Sequence, residues 1–162
     1  MGKNKIYSGY RAYQYLEKGV DYKDYPLAPE IGRVPAYIVP VREKEEDRVQ
    51  KLIESSIVIS LHDHPSIYPA DLNQIFEYHR WGREHTAYEG LSISGLDAVF
   101  DNMMDGLCTI TSNRGWKWGD VIHNIGMKVC DMDHQEYALV CKGVDDIIDA
   151  QETGKTALIL TL

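Results

Sequence analysis

Two histidines separated by one residue, in His62-Asp63-His64-Pro65, are the residues whose type and spacing point most directly to chemistry. Neutral imidazole is the commonest protein ligand for zinc and related ions. The pair directly follows Ile57-Val58-Ile59-Ser60-Leu61, a short β-rich apolar run that reads as a strand covered on both faces. Side chains at i and i+2 of a strand point the same way, so His62 and His64 are expected to converge at its C-terminal end. That end is where parallel α/β sheets build their sites. On this register Val58 and Ser60 share the histidine face, Ile57, Ile59 and Leu61 pack outward under helices, and Pro65 stops the ladder. A bare H-x-H also suits a polar loop in which two histidines make unrelated hydrogen bonds; the position directly after a buried strand favours the metal. A catalytic zinc site has three protein ligands and an open position for water, so two histidines are only part of one.

Other chemistry-bearing groups carry weaker signals. In Ser112-Asn113-Arg114-Gly115-Trp116-Lys117-Trp118, which follows an expected strand at 107–111, Arg114 could pair with a substrate carboxylate and Trp116 could wall a pocket. The same residues equally read as a turn arginine and core tryptophans. Asp97, Asp101 and Asp105 recur every four residues and form a carboxylate stripe if 95–106 is helical, open to a hard cation or simply solvated. His79, His85, His123 and His134 read as core or surface histidines. Asp131-Met132-Asp133-His134 lacks the spacing and glycine of a calcium loop, and Gly154-Lys155-Thr156 has only the end of a phosphate-loop pattern, after a helix. Cys108, Cys130 and Cys141 match neither a disulfide framework nor a metal knuckle and read as buried, reduced thiols.

The elements that must position these groups follow from periodicity. Seven of the eleven tyrosines lie in the first 37 residues, among Pro26, Pro29 and Pro35, a segment expected to drape over a neighbouring surface. Residues 42–54 read as a surface helix, with the charge run from Arg42 to Arg48 as its solvated face. Residues 71–87 read as a helix opened by Asp71, with Leu72, Ile75, Phe76 and His79 on one side and Gly82 weakening it. The clearest helix spans 118–132, where Trp118, Val121, Ile122, Ile125, Val129 and Met132 recur every three or four residues. A helix at 144–153, a stop at Gly154 and a strand at 155–162 complete the pattern. Strands alternating with helices argue for βα units around a parallel sheet.

The chain has 162 residues, 44% of them hydrophobic, and a formal charge of −8. One hydrophobic core is within reach, yet the chain is shorter than the roughly 250 residues of a closed (β/α)8 barrel. The acidic balance and scattered basic residues speak against nucleic acid as a partner. No apolar run approaches the roughly 18 residues of a membrane span and no signal-peptide core is evident, so the expectation is a cytoplasmic protein with no membrane partner.

The stretch from Ile57 to Pro65, together with Val144-Asp145-Asp146-Ile147-Ile148-Asp149-Ala150-Gln151-Glu152-Thr153-Gly154-Lys155-Thr156-Ala157-Leu158-Ile159-Leu160, resembles the membrane (renal) dipeptidase family of the amidohydrolase superfamily. The resemblance covers roughly 55–162 and implies the first βα units of a metal-dependent (β/α)8 TIM barrel, incomplete in this chain, after an N-terminal extension at 1–54. It makes His62 the first metal ligand. His64 falls where the family usually has Asp, as in the His-x-His pair of the wider superfamily. A Glu that bridges two metal ions is expected just after Leu162. The implied activity is hydrolysis of the peptide bond of dipeptides by metal-activated water, with one or two divalent ions, zinc foremost. A small peptide would be the substrate, and the complete enzyme would be a homo-oligomer. The chain alone is expected to be inactive, as an N-terminal fragment, as a small subunit whose barrel is completed by a complementary chain, or as a non-catalytic binding module.

Overall fold

A computed structural model describes residues 5–103 and 118–161. The expected strand at 107–111, Cys108, Asp105, Arg114 and Trp116 lie outside the described residues. Four parallel strands form the central sheet: β1 (Ile59–Asp63), β4 (Ala98–Asn102), β6 (Thr156–Thr161) and β5 (Ala138–Val140), side by side in that order. Two short antiparallel strands, β2 (Ser66–Ile67) and β3 (His85–Thr86), form a separate ribbon. The helices are α1 (Glu43–Ser55), α2 (Ile75–Trp81), α3 (Tyr88–Ser94), α4 (Trp118–Met132) and α5 (Val144–Thr153). The α/β class with a parallel sheet is therefore as the alternating pattern predicts.

Alternation along β4 assigns the two faces. Val99 and Leu158 lie in one core cluster with Tyr10, Tyr13, Tyr22, Tyr88 and Met132. Ala98 and Ala157 lie in another with Ala150, Ile147 and Ile159. The N-terminal tyrosines and α4 thus cover one face, and α5 covers the other. The part of the tyrosine-rich segment from Tyr7 to Tyr22 packs on the sheet face as expected, held by a buried carboxylate, whereas Tyr37 at its end is 91% exposed. Asp131 accepts hydrogen bonds from the Tyr10 hydroxyl at 2.7 Å, the Tyr13 amide at 2.6 Å and the Tyr88 hydroxyl at 2.9 Å. A second buried carboxylate, Asp97, takes the Lys5 ammonium at 3.1 Å and the Val58 amide at 2.8 Å, tying the N-terminus to the entry of β1.

Helix α5 is read correctly to the residue. Asp146 accepts from the amides of Lys142 and Gly143 at 2.6 and 3.0 Å, and Gly154, at φ 72°, takes the left-handed turn that ends the helix. Between Asp71 and Thr86 the expected single helix is instead a short 3-10 turn at Leu72–Gln74, then α2, then β3. Asp71 does cap, accepting from the Asn73 amide at 3.0 Å. Helix α2 ends at Gly82, where a Cβ would lie 2.7 Å from the Tyr78 carbonyl oxygen, a contact no other residue type tolerates. The residue α2 buries is Tyr78, while Leu72 and Phe76 face solvent.

Four further expectations are corrected. Residues 98–102 are a central strand, so Asp97 and Asp101 form no helical stripe; Ala98 and Val99 are fully buried between two covering layers, and that burial decides the segment. Strand β1 is an edge strand rather than one covered on both faces. Ile57, Ile59 and Leu61 are exposed, Leu61 by 76%, because α1 buries none of its residues and lays no apolar face on them. The last strand, expected to leave an exposed hydrophobic edge that calls for a complementary chain, is no free edge, since β6 is paired with β4 on one side and β5 on the other. Finally, Cys130 is exposed and Cys141 partly buried, both free thiols.

Candidate functional site

The C-terminal ends of β1, β4 and β6 meet at one edge of the sheet, with Asp63 opposite Asp101 and Asn102 opposite Thr161. His62 and His64 do come together there, their ring centroids 4.9 Å apart and their planes at 88°. The two rings are neighbours, though not by the route the alternation argument takes. The register of β1 slips between Ser60 and Asp63, so this strand carries one residue more than β4 over the same span. The bulge, rather than an unbroken i, i+2 repeat, sets the two rings. Asp63 fixes the turn, accepting from the His64 amide at 2.8 Å and the Ser60 hydroxyl at 3.2 Å.

His64 Nδ1 lies 3.0 Å from the Asn102 carbonyl oxygen. A carbonyl only accepts, so this contact puts a proton on Nδ1 and leaves Nε2 as the nitrogen that could meet an ion. A metal-binding imidazole is oriented in the same way, by a backbone carbonyl on its other nitrogen. The orientation of His64 therefore fits a ligand to a divalent cation, with the His62 ring beside it. Among the described residues no cluster of three or more His, Cys, Asp or Glu side chains has the geometry of a complete metal site.

Behind the histidines lies a line of charged side chains. Lys128 of α4 is ion-paired with Asp101 of β4, both side chains almost wholly buried. Burial pushes the Asp101 carboxyl up, with Lys128 pulling against it. Glu84 stands next in line, accepting from the Ser66 hydroxyl at 2.5 Å and facing His79 Nδ1 at 3.5 Å. Burial works to raise Glu84 and is outweighed by the His79 hydrogen bond, the Lys128 charge and Ser66, which together hold it down at about 2. A cavity of about 510 Å³ opens over this region between α2 and α4, lined by His79, Arg83, Glu84, Met103, His123 and Lys128 among others.

Sequence reasoning found the histidine pair and missed the Lys128–Asp101 and Glu84–His79 pairs. One signal was present: Val121, Ile125, Lys128 and Met132 share a helical face, so a lysine stands at a core position. Such a lysine needs a buried anion, but nothing in one sequence says which. The remaining histidines divide by surroundings. His85 is buried against Tyr13, Tyr22 and Tyr78, with burial lowering its pKa, and His134 stacks on Tyr15 at 3.6 Å. Among the described residues no helix is long and apolar enough to cross a membrane. In comparisons with family models, curated proteins and solved structures, the chain matches none.

Proposed function

We propose that this chain contributes the first metal-binding strand of a metal-dependent hydrolase of the dipeptidase type, within a (β/α)8 TIM barrel that it does not complete alone. The observation that carries the reading is the meeting of His62 and His64 at the C-terminal edge of a parallel sheet, with the Asn102 carbonyl on His64 Nδ1. His62 and His64 would hold the ion, Asn102 fixes the His64 tautomer, and Asp63 holds the turn that presents it. A divalent metal, zinc foremost, supplies carbonyl polarisation and a bound water whose pKa falls toward about 7. Arg114 and Trp116 are assigned to the substrate carboxylate and the pocket wall.

Strands β1, β4 and β6 keep their chain order across the sheet, as neighbouring barrel staves do, and β5 is the extra edge strand beyond them. In a barrel the helices form an outer ring. Here α4 and α5 cover opposite faces, so completing the barrel requires one of them to leave the face it now covers. The exposed edge strand β1, with Ile59 and Leu61 uncovered, favours a second reading in which this chain is a subunit joined by a complementary chain. Metal content and dipeptide hydrolysis, measured on the chain alone and with candidate complementary chains, separate the cases. Activity on mixing supports the subunit, and a metal-free, inert mixture supports a non-catalytic binding module. In the complete assembly His62→Ala and His64→Ala should each lower metal stoichiometry; unchanged stoichiometry removes the proposed ligands.

A further inference from the structure

Between the N-terminal segment and α4 lies a second, mostly apolar cavity, a groove of about 410 Å³ lined by Tyr13, Tyr15, Leu16, Arg83, Ile122 and Met127 among others. Among the described residues Arg83 is the only Lys, Arg, Asp or Glu in that lining, although the protein as a whole carries a charge of −8. Its guanidinium makes only two long contacts to backbone carbonyls, Gly82 at 3.5 Å and Asp21 at 3.4 Å, and among the described residues no carboxylate lies within ion-pair distance of it. A guanidinium presents five N–H donors, so most of these are left for another acceptor. Tyr13 is the second polar group at the groove. It is the only non-glycine among the described residues with a left-handed backbone, at φ 58°, a conformation that a bulky side chain rarely adopts. The Asp131 carboxylate holds it there by accepting the Tyr13 amide at 2.6 Å. Tyr13 is only 4% exposed, yet its hydroxyl has no hydrogen-bond partner among the described residues and is not sealed off as His79 Nε2 is. Burial, then Asp131 and Glu84, push the Tyr13 hydroxyl pKa up, so it stays a donor.

We propose that this groove binds a monocarboxylic acid with an apolar tail, the carboxylate pairing with Arg83 and accepting from the Tyr13 hydroxyl, the tail lying along Leu16, Ile122 and Met127. One guanidinium and one hydroxyl match a single carboxylate, which takes the guanidinium fork in a bidentate fashion. The tail would cover Ile122, which is 51% exposed on α4. The two carboxylates that Tyr13 senses are already met, Asp131 by three donors and Glu84 by Ser66, His79 and Lys128, and neither lines the groove. A groove of about 410 Å³ is within the size range of small-molecule sites. The inference uses neither His62 nor His64 and stands apart from the metal-dependent reading.

Octanoate, octanol and acetate make the test, because octanoate carries both carboxylate and tail, octanol only the tail and acetate only the carboxylate. Each is titrated at neutral pH into metal-free protein labelled with carbon-13 in the methionine methyls, and the Met127 resonance, assigned with Met127→Leu, is followed. Octanoate should shift it saturably, and octanol and acetate should each bind at least about tenfold more weakly, since a charge-assisted hydrogen bond and a buried apolar tail are each worth that much. Arg83→Gln should abolish the preference for octanoate over octanol, and Tyr13→Phe should weaken octanoate while leaving octanol unchanged. Equal binding of octanoate and octanol, no Met127 shift up to millimolar octanoate, or a preference that survives Arg83→Gln would each overturn the proposal. The first two outcomes are read on the unsubstituted protein and need no variant to fold.

Discussion

Asp131 and Glu84 are both carboxylates set among aromatic and imidazole groups, yet they are satisfied in different ways. Asp131 receives three donors from the tyrosine-rich segment and α3, and each of those groups is itself used up. Glu84 receives Ser66 and His79, but among the described residues the far, buried nitrogen of His79 has no hydrogen-bond partner. A closed network holds a fold together, whereas a buried polar atom without a partner leaves its desolvation cost unrecovered. The contrast separates the structural half of this molecule, where the N-terminal segment meets the sheet, from the half that faces the strand ends.

The sharpest way to break this comparison is Asp131→Ala. It strands two tyrosine hydroxyls and a buried amide, and should cost about 3 kcal/mol or more in urea unfolding; a loss well under 1 kcal/mol would show that the network does not hold the segment. Leu158→Ala, in the fully buried core on the same face, should cost about 2–5 kcal/mol. Tyr10→Phe removes one donor and leaves Asp131 with its other two, so the same measurement should show a loss of about 1 kcal/mol. At the small end, Leu61→Ser on the exposed edge strand should stay within about 0.5 kcal/mol of the parent, unless that face is covered in solution.

Acid titration sharpens the other half. Glu84 has a folded pKa of about 2, below its ordinary value of 4.5. Its contribution to stability is fully present above the ordinary carboxylate range and is lost as pH falls from there toward 2. Asp101, raised by burial, acts with the opposite sign: its folded form takes up a proton more readily than the unfolded chain, so acid favours folding through this group. Glu84→Gln should therefore flatten the acid-side loss of stability measured by chemical denaturation between pH 5 and 3 (about the carboxylate range). An unchanged slope would mean that the Glu84 network is not formed in solution.

Legibility in the sequence followed the range of the forces involved. Helix α5, its glycine stop and β6 are set by neighbours within a few residues, and their boundaries were readable. Helix α4 was readable by period, but its buried face was not fully so: Trp118 and Ile122 are exposed while Lys128 and Asp131 are buried. Strand β4 was missed because Ala-Val-Phe-Asp-Asn has no local signature strong enough to outweigh a four-residue aspartate spacing. Its strand character comes from pairing with β1 and β6, far away in the chain.

By itself the sequence determined that His62 and His64 stand at the end of an extended apolar run, and that strands alternate with helices, because side-chain period and turn chemistry act locally. Only the tertiary structure decided that the run is an exposed edge with a bulge, and that Lys128 meets Asp101. It also decided that His79 is buried, with one ring nitrogen that has no hydrogen-bond partner among the described residues. Each of these depends on which distant groups share a desolvated volume, and a buried charge or lone pair is defined by its partners rather than by its neighbours in the chain.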